Sequence, residues 1–363
     1  MNTRQGTAST DFLAVLGMAE YSAAGEALLA RATEEGVEAL LSAQLSDTEG
    51  ITGHQQNWWR LQRAALVAAD ALRHVELQRL VTSWGAAPID TLLLKGSGLA
   101  YTLYPAPWLR PQSDVDVWCA ASAVPAMRAS LEALGYADVR GWNNEGKHQF
   151  HYRRTDAHGI ARLVEVHLQI ANPEVFAGVL SFPAAAAAAT PTPGLPGGRT
   201  LAASHALLHA CVHRAAHHFG SRRLIWLYDI HLLAARLSAA EWSAFVDGAR
   251  AGRVAAVCRD GLAAAASVYA TSIPAAVDAA LGAARDEPTR RFLAAPREVD
   301  VRMSTLGALP TWRARARHVR GWLVPPVAYM RARYAIRYRA LLPFWYVYRV
   351  ITRLPFWWRR YRP

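Results

Sequence analysis

The chain has 363 residues, of which 52% are hydrophobic, so it can bury a sizeable core and form two or three structural units. No window contains the roughly 18 uninterrupted apolar residues of a membrane-spanning helix, and the first residues lack the basic start and apolar core of a secretory signal. The three cysteines are scattered and odd in number, so we expect a reducing, cytoplasmic location and no disulfide framework.

The net charge of +12 is unevenly distributed. Residues 301–363 contain 14 arginines and no acidic side chain, whereas residues 1–300 contain 26 basic and 28 acidic side chains. The body of the chain is therefore not a general nucleic-acid binder, and we do not expect nucleic acid as a partner. Only two lysines accompany 38 arginines, so Lys95 and Lys147 are candidates for a compact charge beside phosphate; for Lys147, chance is the alternative.

Residues 1–85 are predicted to form an N-terminal helical region. Two alanine-rich segments, AEYSAAGEALLARATEEGVEALLSAQL and QNWWRLQRAALVAADALRHVELQRLVTSWG, carry apolar side chains at helical spacing. Gly85 and the following Ala-Ala-Pro-Ile-Asp end this region.

Residues 86–182 are predicted to form a small α/β core. TLLLKGSG is typical of an apolar strand that breaks into a glycine-rich turn, GLAYTLY begins a helix, and SDVDVWCA alternates like a second strand. A helix follows in SAVPAMRASLEALGY, with Ser122 as its N-cap, and then two strands in HQFHYRR and IARLVEVHLQI. This order indicates a small sheet rather than an all-helical protein.

The remaining chain is predicted to be mostly helical. Residues 183–199 are rich in Ala, Pro and Gly and are predicted to be a linker. Residues 200–300 are predicted to form a C-terminal helical domain, and residues 301–363 an Arg- and aromatic-rich tail. The expected fold class is α+β, with a small mixed β-sheet core flanked by N-terminal and C-terminal helical regions.

Asp114 and Asp116 in the second predicted strand are the first candidate metal ligands. Residues i and i+2 of a strand share a face, so the two carboxylates repel each other unless a cation lies between them. Oxygen ligands suit Mg²⁺, and a pair of metals can activate a nucleophile and stabilise a leaving oxygen. Glu165, between Val164 and Val166 in a later strand, is the candidate third carboxylate.

Lys95, Gly96 and Ser97 are the candidate phosphate-binding residues. A strand that turns into a helix through glycine presents backbone N–H groups at the positive end of the helix dipole. Gly96 permits close approach of the backbone to a ligand, and the Ser97 hydroxyl can add a contact to phosphate. Arg110, four residues before Asp114, can add a charged fork.

The combination resembles the DNA polymerase beta-type nucleotidyltransferase superfamily and, within it, the bacterial family of uncharacterised nucleotidyltransferases with a Lys-Gly signature. The resemblance covers roughly residues 20–290 and is carried by KGSGLAYTLYP, LRPQSDVDVW, VEVHLQI, LLHACVHRAAHH and WLYDIHLL. Ser97 and Asp114 are separated by 16 residues, a longer interval than in the usual superfamily pattern.

The resemblance implies that Asp114 and Asp116 hold two Mg²⁺ ions, and that Glu165 completes one site and orients or deprotonates the acceptor. It also implies that Gly96 and Ser97 hold the β- and γ-phosphates. The implied reaction is in-line attack of an acceptor hydroxyl on the α-phosphate of an NTP, with ATP the expected nucleotide and pyrophosphate the product. The acceptor is left open among small molecules, sugars and peptides.

Three other functions are alternatives. The same metal site could transfer a phosphoryl group, as a kinase does, or could hold a nucleotide-sugar for glycosyl transfer. The Lys-Gly-Ser turn disfavours glycosyl transfer because it prepares a site for a polyphosphate. A non-catalytic module that keeps the fold is the third alternative, against which the retention of all three carboxylates argues.

Histidines recur at four-residue steps in SHALLHACVHRAAHHFG. On a helix such steps drift around the axis, so the four histidines cannot all bind one ion. Three roles remain possible for these histidines: they could be structural, they could line the nucleotide or acceptor cleft, or they could form a zinc site. His213 and His217 are the candidates for the cleft, because the resembling family has histidines at matching positions.

His167 is predicted to share a face with Glu165, where it either supports the metal or packs. His148 and His151 are three residues apart on one predicted strand, so at most one of them should face the site.

The tail RARYAIRYRALLPFWYVYRVITRLPFWWRRYRP mixes arginine with Trp, Tyr and Phe. Peripheral contact with an anionic membrane is one interpretation, with the aromatic rings at headgroup depth. Contact with nucleic acid by stacking and phosphate pairing is a second. An arm that packs on its own domain is the third.

Overall fold

A computed structural model describes residues 10–16, 25–46, 52–139, 148–156, 159–284, 286–294 and 296–358. The expected α+β class is confirmed, since a seven-stranded mixed sheet lies between helical regions that precede and follow it in the chain. The N-terminal helices are α1 (Phe12–Val15), α2 (Gly25–Glu35), α3 (Glu38–Ser46) and α4 (Gly53–Ala86).

The first long helix predicted from the sequence is divided at Gly36. This glycine has a φ of +75°, and a Cβ added to it would lie 2.7 Å from the Ile225 side chain. Both the backbone conformation and the close packing therefore require glycine between α2 and α3. The second predicted helix is confirmed as α4, which begins with a capping box between Thr52 and Gln55.

The sheet contains the predicted strands and three short ones that were not predicted. The strands are β1 (Thr91–Leu93), β2 (Val115–Cys119), β3 (Ala137–Asp138), β4 (Gln149–Thr155), β5 (Ala161–His167), β6 (Thr190–Pro191) and β7 (Arg199–Thr200). Their order across the sheet is β3-β4-β5-β2-β1-β7-β6. The intervening helices are α5 (Lys95–Thr102), α6 (Val124–Ala133) and α7 (Phe182–Ala188).

One face of the sheet is apolar and packs on α4 and α6. The buried side chains between these elements include Leu77, Trp84, Val117, Met127 and Val166. Because strand side chains alternate, the residues between the valines of β2 and β5 project from the other face. The register sets Asp116 beside Glu165 and Trp118 beside His167.

Two local predictions in the core are wrong. Ser122 does not cap α6, because a 3-10 turn at Ala121–Ala123 leads into the helix and Ala123 is its N-cap. The segment 183–199 is not a linker, because it contains most of α7 and the hairpin of β6 and β7. Strand β7 pairs in parallel with β1, so this segment extends the sheet.

The C-terminal region packs helices against the polar side of the sheet. They are α8 (Ala203–His218), α9 (Leu224–Ala234), α10 (Ala239–Ala251), α11 (Ala255–Tyr269) and α12 (Ala275–Gly282). Helices α8, α9 and α11 contact one another, and their core is continuous with Leu92 and Trp118 of the sheet. The site face of the sheet is therefore covered by α8 and α9.

Within the described residues, the predicted tail and the three residues before it form four α-helices. They are α13 (Glu298–Ala308), α14 (Trp312–Leu323), α15 (Val327–Tyr334) and α16 (Leu342–Trp357). Helix α13 contacts the 3-10 turn Glu174–Phe176 that follows β5, which ties the tail to the rest of the chain. No helix in the described part of the chain combines the length and apolar character that crossing a membrane requires.

Candidate active site

Asp116, Glu165 and His167 meet on the polar face of the sheet. One ligand atom from each lies within 4.8 Å of the other two. His167 Nε2 is 2.9 Å from Asp116 Oδ1 and 3.7 Å from a Glu165 carboxylate oxygen. The parallel register of β2 and β5 creates this group, because it puts the two carboxylates side by side and His167 one pleat further along.

Lys95 contacts both carboxylates of this group. Its Nζ is 2.8 Å from Asp116 Oδ1 and 3.6 Å from Glu165 Oε2. Burial alone would lower the pKa of Lys95, but Asp116 and Glu165 outweigh it and raise that pKa. Lys95 is the first residue of α5 and has a φ of +47°, a left-handed conformation that is costly outside glycine.

Both carboxylates beside Lys95 are held in their charged form. Burial opposes the charge on Asp116, but the Lys95 ammonium and the hydrogen bond with His167 bring its pKa below the ordinary value. Burial also opposes the charge on Glu165. The contact with His151, helped by the nearby His167 and Lys95, outweighs burial and lowers the pKa of Glu165. The group can therefore serve as an anionic ligand set at neutral pH.

Asp114 stands apart from this three-residue group. It precedes the first residue of β2 and accepts a hydrogen bond from the Ser113 hydroxyl. Burial and then the charge of Asp116 raise its pKa from 3.8 to about 6. At this position burial and the negative charge of Asp116 together outweigh the opposing charge of Lys95.

We expect Asp114→Asn to stabilise the fold. The folded protein holds the Asp114 proton more tightly than the unfolded chain does, so ionisation costs stability progressively as the pH rises from about 3.8 to about 6, and asparagine carries no such charge. The variant should gain about 1–3 kcal/mol in unfolding free energy above pH 6, and the gain should shrink steadily as the pH falls from 6 to 4. Urea unfolding between pH 4 and 8 measures this. A gain that is the same at every pH would contradict the assignment.

Ser97 does not present its hydroxyl to the cleft as the sequence suggested. The side chain is fully buried; its Oγ accepts a hydrogen bond from the backbone N–H of Asp116 at 3.0 Å and donates to Gln112 at 3.3 Å. Ser97 therefore fixes the start of β2, and with it the position of the Asp116 carboxylate. Gly96 lies beside Gln112 and lines the cleft, while a Cβ on Gly98 would lie 2.2 Å from Thr200 Oγ1.

Arg110 does not present a free fork either. The buried guanidinium binds both carboxylate oxygens of Asp229 in α9, with Nη2 at 2.8 Å, and donates to the carbonyl oxygen of Pro111. Asp229 also accepts a hydrogen bond from Tyr104 at 2.7 Å. Asp229 already accepts from Nε and Nη2 of Arg110. The prediction that Arg110 binds phosphate through a free fork is therefore wrong, and Arg110 instead forms a buried ion pair that joins the sheet region to α9.

The histidines of α8 line the cleft without forming a metal group. His213 and His217 have ring centroids 5.1 Å apart, and His218 stacks on Trp226 at 3.8 Å. Burial, reinforced by the charge of Lys95, lowers the pKa of His213 and His217 well below the ordinary value, so they are neutral at pH 7. Among the residues that the structure describes, only Asp116, Glu165 and His167 bring three ligand atoms close enough together to share one ion.

The other histidine predictions agree with the placement of β4. His151 Nε2 lies 3.2 Å from Glu165 Oε1. His148, three residues earlier, has its Nε2 2.9 Å from Glu174 Oε2 instead. His151 thus faces the carboxylates and His148 does not. The candidate Lys147 lies outside the described residues.

Asp116 and Glu165 line a cleft of about 690 Å³, while His167 is buried and contacts both carboxylates. Sequence reasoning missed several side chains that line this cleft. They are Glu38, Arg73, Gln112, Arg223 and Trp226. The guanidinium of Arg223 lies 5.3 Å from the Trp226 ring centroid, and Arg73 is paired with Asp70 at 3.2 Å. Glu38, Arg73 and Arg223 lie in segments without a motif. Gln112 and Trp226 lie within LRPQSDVDVW and WLYDIHLL, but no pattern in those segments marks them as cleft residues.

Comparison with known proteins gives one match. Residues 22–270 match the sequence profile of the family described as uncharacterised nucleotidyltransferase. The match includes the sheet, the N-terminal helices from α2 onward and the cleft-lining helices α8 and α9, and it excludes the tail. No curated protein sequence matches the chain.

Proposed function

Because the chain belongs to the nucleotidyltransferase family that its residues 22–270 match, we propose that it transfers a nucleoside monophosphate from an NTP to an acceptor hydroxyl. The observation that carries the proposal is the buried group of Asp116, Glu165 and His167, with Lys95 against it, at the base of the cleft. The acceptor class is a small molecule, sugar or peptide, and ATP is the nucleotide we propose.

The residues at this place fit a divalent cation. Two carboxylates held in their charged form and one imidazole lie within ligand reach of a shared position. The pKa of Asp114, raised to about 6 by burial and by Asp116, reflects negative charge that a dication would relieve. We propose Mg²⁺, held by Asp116 and Glu165 with Asp114 contributing to a second ion, because Mg²⁺ prefers oxygen ligands and keeps sites for phosphate oxygens.

When bound, such cations supply charge neutralisation for the triphosphate and for the leaving pyrophosphate. The side chains of the chain do the positioning. Lys95 neutralises Asp116 and Glu165 in the nucleotide-free site, and we propose that its ammonium moves to a phosphate oxygen when the nucleotide enters. The N–H groups at the start of α5, where Gly96 leaves the approach open, would face the same phosphates.

Glu165 is proposed to orient the acceptor. Its carboxylate is held by His151 at 3.2 Å on one side and lies near Lys95 on the other. A carboxylate that remains charged can accept a hydrogen bond from the acceptor hydroxyl and set the line of attack on the α-phosphate. His213 and His217, neutral at pH 7, would line the same cleft as uncharged hydrogen-bonding groups.

The experiment uses the full chain and follows a label from ATP into the products. With Mg²⁺ and a pool of hydroxyl acceptors, we expect α-labelled ATP to mark the acceptor and γ-labelled ATP to give labelled pyrophosphate. Chelation of divalent ions should abolish both. Transfer of the γ-label to the acceptor with release of ADP would instead establish phosphoryl transfer. Failure to bind a non-hydrolysable ATP analogue with Mg²⁺ would leave the non-catalytic module as the explanation.

We also propose a reducing, cytoplasmic compartment. Cys119, Cys211 and Cys258 are all buried free thiols. Burial raises the pKa of Cys119 to about 12, which keeps this thiol protonated and unreactive.

A further inference from the structure

Helix α16 has one face that is anchored to the rest of the tail. Tyr346 donates a hydrogen bond to the carbonyl oxygen of Pro325 at 2.7 Å, and the buried Arg349 donates to the carbonyl oxygen of Trp322 at 2.9 Å. Trp345 stacks on Tyr334 of α15 with ring centroids 5.3 Å apart. These contacts fix which side of α16 points away from the protein.

The opposite face of α16 is an exposed apolar stripe. Phe344 is 62% exposed, Val347 59%, Tyr348 43% and Ile351 60%. At about 100° per residue these positions fall within roughly 100° of arc, centred opposite Tyr346 and Arg349. Trp358, just past the helix, is also 62% exposed, and its ring lies 5.2 Å from the Arg297 guanidinium. Such a contiguous apolar surface is typical of an interaction site.

The charge of the tail is of one sign. Residues 301–363 contain 14 arginines and no acidic residue. Exposed arginines lie on α15, which packs against α16, and on the chain between the two helices: Arg331, Arg333, Arg337 and Arg339. A partner for this surface must therefore be negatively charged at its surface and apolar beneath.

We propose that the apolar stripe of α16 lies in the interface of an anionic lipid bilayer, with the surrounding arginines at the headgroups. A second copy of the chain fits poorly, because it would bring another arginine cluster against the first. Nucleic acid would supply negative charge and could stack on Phe344 and Tyr348, but it would leave the exposed aliphatic side chains of Val347 and Ile351 without an apolar partner. The tail lies outside the residues that match the nucleotidyltransferase family, so this surface is independent of the proposed reaction.

The test is flotation of the full chain with phosphatidylcholine vesicles, with or without about one-third phosphatidylglycerol. The wild-type chain should float with the anionic vesicles and not with the neutral ones. Val347→Glu with Ile351→Glu should lower the bound fraction about tenfold or more, because both charges would enter the interface. Arg331→Gln with Arg333→Gln and Arg337→Gln should weaken binding and reduce its dependence on salt.

The matched control places the same charges on another exposed apolar surface. Leu61 and Val75 of α4 are 60% and 67% exposed, so Leu61→Glu with Val75→Glu should bind vesicles as the wild type does. The proposal fails if the wild-type chain does not float, if the stripe variant floats like the control, or if the chain retains single-stranded RNA in place of vesicles. Flotation needs no nucleotide, so its outcome is separate from that of the labelling experiment.

Discussion

Asp116→Asn is expected to lower nucleotidyl transfer by about a thousandfold or more while the chain remains folded. Asp116 is the carboxylate on which the site converges, since Lys95 and His167 both contact its Oδ1 at 2.8 and 2.9 Å. Asparagine keeps the shape but removes the charge that would hold a divalent cation. Glu165 remains near Lys95, 3.6 Å away, so the buried ammonium is not left without a counter-charge.

The measurement is pyrophosphate release from ATP with acceptor, together with thermal unfolding of the same samples. Asp278→Asn is the matched control, because Asp278 is an exposed carboxylate paired with Arg259 in the helical region. The control should keep wild-type turnover. An Asp116→Asn protein that turns over like the control would show that the site has been assigned to the wrong residues.

The alternation in LVEVHLQI was enough to predict that Glu165 and His167 share a face. Placing Asp116 beside Glu165 needs one further fact, the parallel register of β2 and β5, which no local pattern encodes. The sequence placed Asp114 on β2 with Asp116, but the strand begins one residue later, at Val115. Strand ends are set by pairing with neighbours rather than by residue preference, which is why this boundary was missed.

The long helices and the strands with strong periodicity were predictable because their apolar side chains repeat at one spacing. The hairpin in segment 183–199 was not. Its two strands have two residues each, too few for an alternating pattern, and Pro191 disfavours a strand by composition. They form because β7 pairs with β1, about a hundred residues earlier in the chain.

The role of Arg110 could not be predicted either, because it depends on a partner that is distant in the sequence. From its position four residues before Asp114, a role at phosphate was reasonable, but its partner Asp229 is 119 residues away and lies in a helix with no acidic motif. The pair is buried on both sides, with side-chain exposures of 10% and 5%. The contribution of this pair to the unfolding free energy can therefore be measured by removing one of the two charges.

Asp229→Ala is expected to lower the unfolding free energy by about 3–5 kcal/mol, because it leaves the Arg110 guanidinium buried without a counter-charge. The double variant Arg110→Met with Asp229→Leu should recover part of this loss, since it removes both desolvated charges but still leaves the buried Tyr104 hydroxyl without its acceptor. Chemical denaturation measures both. Asp278→Ala at the exposed pair with Arg259 is the comparison, and should destabilise the chain far less than Asp229→Ala does.

The double variant also separates the two roles considered for Arg110. If Arg110 only joins β2 and its preceding loop to α9, the double variant should bind a non-hydrolysable ATP analogue with near wild-type affinity. A folded double variant with at least tenfold weaker binding would show that Nη1 of Arg110, which donates to Pro111 and lies beside Gly96, contacts the nucleotide as well. A double variant as unstable as Asp229→Ala would instead show that the ion pair itself, and not the isolated charge, stabilises this junction.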